Sequence, residues 1–352
     1  MLLPSPHKCS WARLAVAAAR GRLALVLCLI LPLCSTACPS GGKQNGNAGA
    51  PQGQSTPQSP SPPPVMAFDG ARAFEHVRRQ VEMGPRPAGS SELAQTRDYI
   101  VGELKSYGLN VTSDEFAATT PVGEKRFVNV WAEIAGESSD VILLASHYDT
   151  KQVKEFRFVG ANDGGSSTGA LMEMARVLSS DHQKPPFTYR FVFFDGEEAF
   201  CFDWDECRNP SGPDNTYGSR RYVAQLKEKN ELKRVRAVIL LDMIGYKDQR
   251  FGRDVEMSTP WLIETIWRTA HELGHSAQFV DGVEGVGGDD HEPFLRAGIE
   301  SVDIIQLNTY PYWHTAEDTL DKISPQSLKV VGDVLLASLP RVEQRLRSKP
   351  VS

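Results

Sequence analysis

The chain has 352 residues and a formal net charge of −6, with 44 acidic against 38 basic side chains. That balance, with no long basic run after the first few dozen residues, excludes nucleic acid as an expected partner. Six cysteines suggest a disulfide framework until they are located. Cys9, Cys28, Cys34 and Cys38 all fall in the first 38 residues, which leaves Cys201 and Cys207 for the folded part.

The first 38 residues read as a leader. Lys8, Arg13, Arg20 and Arg22 precede an apolar run at 23–33, too brief to span a bilayer comfortably and suited to a signal-peptide core. The run ends at Leu33-Cys34-Ser35-Thr36-Ala37-Cys38, small residues before a cysteine, which resembles a bacterial lipoprotein signal with Cys38 as the lipidated first residue. Ser35 departs from that pattern, where a larger aliphatic residue is usual, and ordinary cleavage without lipid is the alternative. In either case the chain is expected outside the cytoplasm: anchored on the periplasmic or cell-surface side, or secreted or periplasmic. Residues 39–65 are Gly, Pro, Ser, Gln and Asn with almost nothing apolar, so they read as a flexible tether. Residues 66–345 suit one α/β catalytic domain, expected as a monomer. In an oxidising compartment Cys201 and Cys207, six apart, are expected to close a loop by a disulfide, with two free thiols as the alternative.

Within the domain, an amphipathic helix is predicted at 71–82, stopped by Met83-Gly84-Pro85-Arg86-Pro87, and a second from 91 to about 108. The apolar stretches 127–134 and 141–145 read as strands. A helix follows at 167–178, then buried strands at 189–194 and 237–241. Further helices are predicted at 219–229, 261–273 and 324–339. Strands alternating with helices imply a single α/β domain with a mostly parallel twisted sheet covered by helices on both faces.

Acids and histidines gather just after these strands: His147-Tyr148-Asp149, Asn162-Asp163, Asp195-Gly196-Glu197-Glu198 and Asp242, with His314 after the short apolar run 302–305. In open α/β sheets ligands bind beyond the carboxyl ends of strands. So many carboxylates in one crevice repel, and some must take up protons unless a cation neutralises them. A mixed oxygen and imidazole set suits Zn²⁺. Adjacent glutamates let one bind metal while the other stays free as a general base. Asp149 and Asp195, taken singly, read equally well as turn formers. His271 and His275 lack the spacing of a zincin helix, and His291 reads as a structural histidine. No Gly-x-Ser-x-Gly elbow or nucleophilic cysteine context is present.

The order His147-Tyr148-Asp149, Asn162-Asp163, Glu197-Glu198, Asp242-Met243-Ile244-Gly245 and Trp313-His314-Thr315 resembles the zinc aminopeptidases of metallopeptidase family 28. The finer pattern is similar to the animal-type glutaminyl-peptide cyclotransferases (glutaminyl cyclases) of that superfamily. It is carried by Asp195-Gly196-Glu197-Glu198-Ala199-Phe200, Tyr217-Gly218-Ser219-Arg220 and Asp289-Asp290-His291-Glu292-Pro293-Phe294-Leu295-Arg296. The resemblance spans about 70–340. It implies one Zn²⁺ held by Asp163, Glu198 and His314, with Glu197 moving the proton. It also implies Asp242 and Asp289 as linked partners, Trp204 and Trp313 flanking the substrate, and peptide or protein N-termini as substrate. Asp303 stands where the animal cyclases carry a histidine, and the zinc loop lacks their disulfide. The rival within the superfamily is an aminopeptidase with two zincs, adding His147 and Asp242 as ligands and using Asp163 as the bridge. A third reading is a binding lipoprotein with a decayed site.

Overall fold

The computed structural model describes residues 67–348 except 182, 202–205 and 208–211. The expectations for the leader, the tether and Trp204 fall outside the described residues.

Asp69 opens helix α1 (Gly70–Met83): its carboxylate accepts from the backbone N–H of Ala71 at 2.9 Å and of Arg72 at 3.3 Å. Ser90 caps α2 (Ser91–Ser106) in the same way through Leu93. Six strands then form one sheet in the order β1 (Val111–Thr120), β2 (Gly123–Ile134), β4 (Thr188–Phe194), β3 (Val141–His147), β5 (Val235–Leu241) and β8 (Ser301–Ile304). The pairs β4–β3, β3–β5 and β5–β8 are parallel, whereas the β1–β2 hairpin adds to β4 antiparallel. The fold is a single α/β domain with a mixed sheet whose inner strands are parallel. The antiparallel edge was not expected from sequence.

Every residue of β3 and β4 is buried, as strands covered on both faces require. Their side chains divide by parity. Ile142, Leu144, Phe191, Phe193, Ile239 and Leu241 point into the larger core with α1, α3 (Gly165–Ser179), α5 (Pro260–Glu272) and α7 (Pro325–Arg347). Leu143, Ala145, Val192, Phe194, Val238 and Leu240 meet Tyr222 and Val223 of α4 (Tyr217–Glu228) and Phe294 of α6 (Glu292–Arg296) on the other face. This period of two is the strand geometry itself. A short parallel pair, β6 (Phe251–Arg253) with β7 (Phe279–Val283), stands apart from the main sheet. No helix among the described residues is long and apolar enough to cross a membrane.

Two boundaries differ from the sequence expectation for physical reasons. Helix α7 runs past Pro340 to Arg347, because Val342 and Leu346 beyond the proline are buried in the core. Helix α4 starts at Tyr217, two residues early, where Tyr217 stacks on Phe127 with centroids 4.9 Å apart.

Candidate metal-dependent active site

All the expected site residues within the described chain converge at the carboxyl ends of the parallel strands, as the sheet rule requires. His147 is the last residue of β3, Glu197 and Glu198 follow β4, and Asp242 follows β5. Asp163 lies in the loop leading to α3, and Asp289 in the loop before α6. His314 comes after β8 with φ at 50°, a left-handed conformation that is costly for a residue with a Cβ and frequent at functional sites. Asp163, Glu197, Glu198, Asp242, Asp289 and His314 line a pocket of about 400 Å³ together with Trp313, with His147 beneath them in contact with Asp163 and Asp242.

Two donor groups share Asp163. Asp163, Glu198 and His314 form one; His147, Asp163 and Asp242 form the other; within each, the potential ligand atoms lie within 4.8 Å of one another. His314 Nε2 is 3.4 Å from Asp163 Oδ2 and 3.4 Å from Glu198 Oε1. His147 Nε2 is 3.1 Å from Asp242 Oδ1 and 3.4 Å from Asp163 Oδ1. Asp163 Oδ2 is buried and accepts no hydrogen bond, an expensive arrangement unless a cation faces it. A compact set of carboxylate oxygens and imidazole nitrogens fits a divalent ion with mixed O/N preference, zinc above all.

The electrostatics agree. Burial alone would favour neutral Asp163, yet the His147 and His314 imidazoles beside it hold its carboxyl well below the usual range. Burial disfavours a proton on His314, but Glu198 and Asp163 outweigh it and push its pKa up to about 10. His147 is raised for the same reason, chiefly by Asp242 against burial. Both shifts show that the acidic cluster favours positive charge at these two positions. Glu197 behaves differently: burial pushes its carboxyl well up, Glu198 and Asp289 add to that, and His147 opposes it. Burial also raises Asp242, against the pull of His147, and raises Asp289 with help from Asp242 and Asp290.

The turn after β4 is held from several sides. Asp149, one of the two ambiguous acids, accepts from the backbone N–H of Glu197 at 3.2 Å and of Glu198 at 3.4 Å. It is a turn brace. Asp195, the other, accepts from the N–H of Val128 at 2.7 Å and ties the same turn to β2. Gly164, at φ 73°, has no room for a side chain: a Cβ there would lie 2.7 Å from the Asp149 carbonyl and 2.9 Å from the His147 ring.

Trp313 stacks on His314 with ring centroids 4.2 Å apart and remains 44% exposed, so it forms a rim of the pocket. Phe158 meets the His314 ring edge-on from another side. His291 is fully buried, bonded through Nε2 to the Met257 carbonyl at 2.7 Å, and lies in a group with Asp289 and Asp303 behind the pocket. His271 bonds the Phe279 carbonyl and lies outside the site. Cys201 and Cys207 form the expected disulfide.

Sequence reading missed Lys151 and Asp318. Lys151 is buried, donates from Nζ to the Ala199 carbonyl at 3.0 Å and sits 3.8 Å from Glu198 Oε2. Its place two residues after Asp149, in the loop already singled out, was an available signal. Asp318 lies in Glu317-Asp318-Thr319, a stretch that looks like an ordinary exposed turn, and it carried none.

The sequence pattern of peptidase family M28 matches residues 129–339, more than half of the chain. The chain belongs to that family. Among its relatives, the glutaminyl-peptide cyclotransferase-like protein of Mus musculus is 30% identical over 281 residues, covering 72% of this chain and 71% of that one. The crystal structure of an Acidobacteriales bacterium glutaminyl cyclase is 36% identical and superimposes with a TM-score of 0.73, covering 83% of this chain and 100% of that one. A Zn-dependent exopeptidase from Parabacteroides distasonis is 26% identical with a TM-score of 0.69, covering 81% of this chain and 100% of that one.

Proposed function

We propose that this chain is a zinc-dependent glutaminyl-peptide cyclotransferase, converting the N-terminal glutamine of peptides to pyroglutamate with release of ammonia. One observation carries the reading. In a chain similar to a glutaminyl cyclase over that protein's whole length, a complete donor set (Asp163, Glu198, His314) adjoins a buried carboxyl, Glu197, that the set does not need. Zinc bound by the three donors would supply polarisation of the glutamine γ-carbonyl.

The protein's own residues do the rest. Glu197 accepts a proton from the substrate α-amine and returns one to the leaving ammonia; a carboxyl raised toward neutrality by burial suits both directions. A C–N bond forms between the α-nitrogen and the γ-carbon, and the bond from that carbon to the amide nitrogen breaks. The reaction is intramolecular, so holding the side chain folded against its own amine supplies much of the rate. Trp313 at the rim flanks the folded side chain and helps keep water out; the family resemblance assigns the same role to Trp204, which lies outside the described residues. Asp242 and Asp289 act as hydrogen-bond and charge partners of the substrate amine.

One ion per chain suffices, since no water nucleophile is needed. The second reading, a two-zinc aminopeptidase, draws on the His147–Asp163–Asp242 group and the exopeptidase neighbour. A Gln-led peptide separates them. Cyclisation leaves the chain length unchanged and removes about 17 mass units as ammonia, whereas hydrolysis releases the first residue. Clean removal of that residue with no pyroglutamyl product, and two zincs per chain, would overturn the cyclase reading.

The leader supports a further part of this proposal: export, with Cys38 lipidated and residues 39–65 as tether. Cys38→Ala should move the protein out of the membrane fraction; a wild-type protein already fully soluble contradicts the anchor.

A further inference from the structure

The two loops that bring Asp163 and His314 together are far apart in sequence, one after β3 and the other after β8, and a single carboxylate joins them. Asp318 is fully buried. Its Oδ1 accepts from the backbone N–H of Asn162 at 2.8 Å and from the Tyr310 hydroxyl at 2.6 Å, and its Oδ2 accepts from the N–H of Asp163 itself at 3.1 Å. The Asp318 carbonyl adds a bond from the N–H of Ala161 at 3.3 Å. Tyr310 and Asp318 lie four residues before and after His314, so the Tyr310–Asp318 contact closes the His314 loop on itself. The same carboxylate then clamps that loop to the backbone carrying the other ligand. His314 needs such a frame, because its backbone sits at φ 50° and would relax if the loop were free.

We infer that Asp318 is the positioning residue that sets the separation between Asp163 and His314 and thereby the metal affinity of the site. This rests on the reading of Asp163, Glu198 and His314 as zinc ligands. Asp318 touches neither the metal position nor the substrate pocket; it acts through the backbone of one ligand and the loop of the other. Groups that orient metal ligands in this way typically change affinity 10- to 100-fold when altered, by order of magnitude.

Asp318→Asn tests it. The amide keeps the shape but has one acceptor oxygen, so its NH₂ must face either the Asp163 N–H or the Asn162–Tyr310 pair, donor against donor. In the full chain, chelator competition should give a zinc Kd about 10- to 100-fold weaker than wild type, and kcat at saturating zinc should recover to within about threefold. That recovery is what a merely structural residue would not show. Zinc affinity within about twofold of wild type in a folded variant overturns the inference, as does kcat lost even at saturating zinc with affinity unchanged. If Asp318→Asn does not fold, Tyr310→Phe decides. It removes one of the three side-chain bonds, and affinity weaker by about threefold or more supports the clamp, whereas no change overturns it. A wild-type protein that binds no stoichiometric zinc brings down the ligand reading itself, and the inference with it.

Discussion

Glu197 and Glu198 are neighbours in sequence with different surroundings, and that difference is their proposed division of labour. Glu198 Oε1 receives the Lys151 N–H at 3.1 Å and lies 3.4 Å from His314, while its other oxygen faces the Lys151 ammonium, so it is fixed as a donor. Glu197 has burial and acidic neighbours raising its carboxyl and only His147 opposing them. Glu197→Gln preserves size and hydrogen bonding but cannot shuttle a proton. It is expected to lower kcat on the order of 10²-fold or more while keeping the wild-type zinc content. Activity within a few-fold of wild type would transfer the role to another group, Asp242 first. At this scale the chemistry-bearing residues were legible because His147, Glu197, Glu198 and Asp242 sit at or just after the ends of apolar strands, and Asp163 and His314 sit in short runs of unusual composition. Their supports were not. Arg86 is buried and donates to the Val159 carbonyl at 2.8 Å and the Gly160 carbonyl at 3.0 Å, shaping the loop that leads to Asp163. In sequence it is one more residue in a helix-stopping Gly-Pro-Arg-Pro run. A side chain whose partners are backbone carbonyls more than 70 positions away leaves no pattern to read.

A strand shows in sequence when it is a continuous apolar run or carries one apolar face. That is why the central strands were visible and β1 was not: Val-Thr-Ser-Asp-Glu-Phe-Ala-Ala-Thr-Thr is an edge strand, mostly part-buried or exposed, held by its register with β2. The paired strands β6 and β7 and the five-residue α6 are too short to register a period at all. Helix packing carries a second hidden constraint. Gly169 of α3 faces α1, and a Cβ there would lie 2.7 Å from the Ala73 carbonyl and 2.9 Å from a Val77 methyl. The absent side chain is what lets α1 and α3 approach. Gly169→Leu is expected to destabilise the fold by about 1–3 kcal/mol through overpacking, read as a lower urea midpoint. Gly102 in α2 has the opposite environment, with nothing within 4 Å of an added Cβ. Gly102→Ala should therefore stabilise by roughly 0.5–1 kcal/mol through helix propensity and a less flexible unfolded chain. If both substitutions shift the midpoint in the same direction, the contrast in packing is not what sets their effects.

At the scale of the molecule, strand–helix alternation was enough to place a catalytic edge, and the edge concentrates negative charge that the rest of the fold does not balance. That makes metal binding, pH and global stability one problem. In the metal-free protein, burial pushes the pKa values of Asp290 and Asp318 up to about 7 from 3.8. A carboxyl raised by folding contributes stability below its unfolded pKa and loses it as pH climbs to the folded value. His314 follows the same sign at higher pH: although burial opposes its proton, Glu198 and Asp163 raise it from 6.5 to about 10, so its contribution fades from 6.5 upward. The contribution of these three groups therefore falls as pH rises from 4 towards 10. Zinc held by Asp163, Glu198 and His314 would reverse the balance, because it would displace the His314 proton and supply the missing positive charge without being titrated. The stabilisation by zinc, measured as the Tm of the zinc-loaded protein minus that of the chelated protein, should widen between pH 5.5 and pH 8. One proton displaced over the upper part of that window corresponds to a widening of roughly 5 °C. Glu197→Gln, which leaves the three donors in place, should show the same widening, whereas His314→Ala should lose most of it along with its zinc. A difference that is flat or narrower at pH 8 in the wild-type protein would mean that no histidine proton leaves when the metal binds, and His314 would then have to be removed from the ligand set.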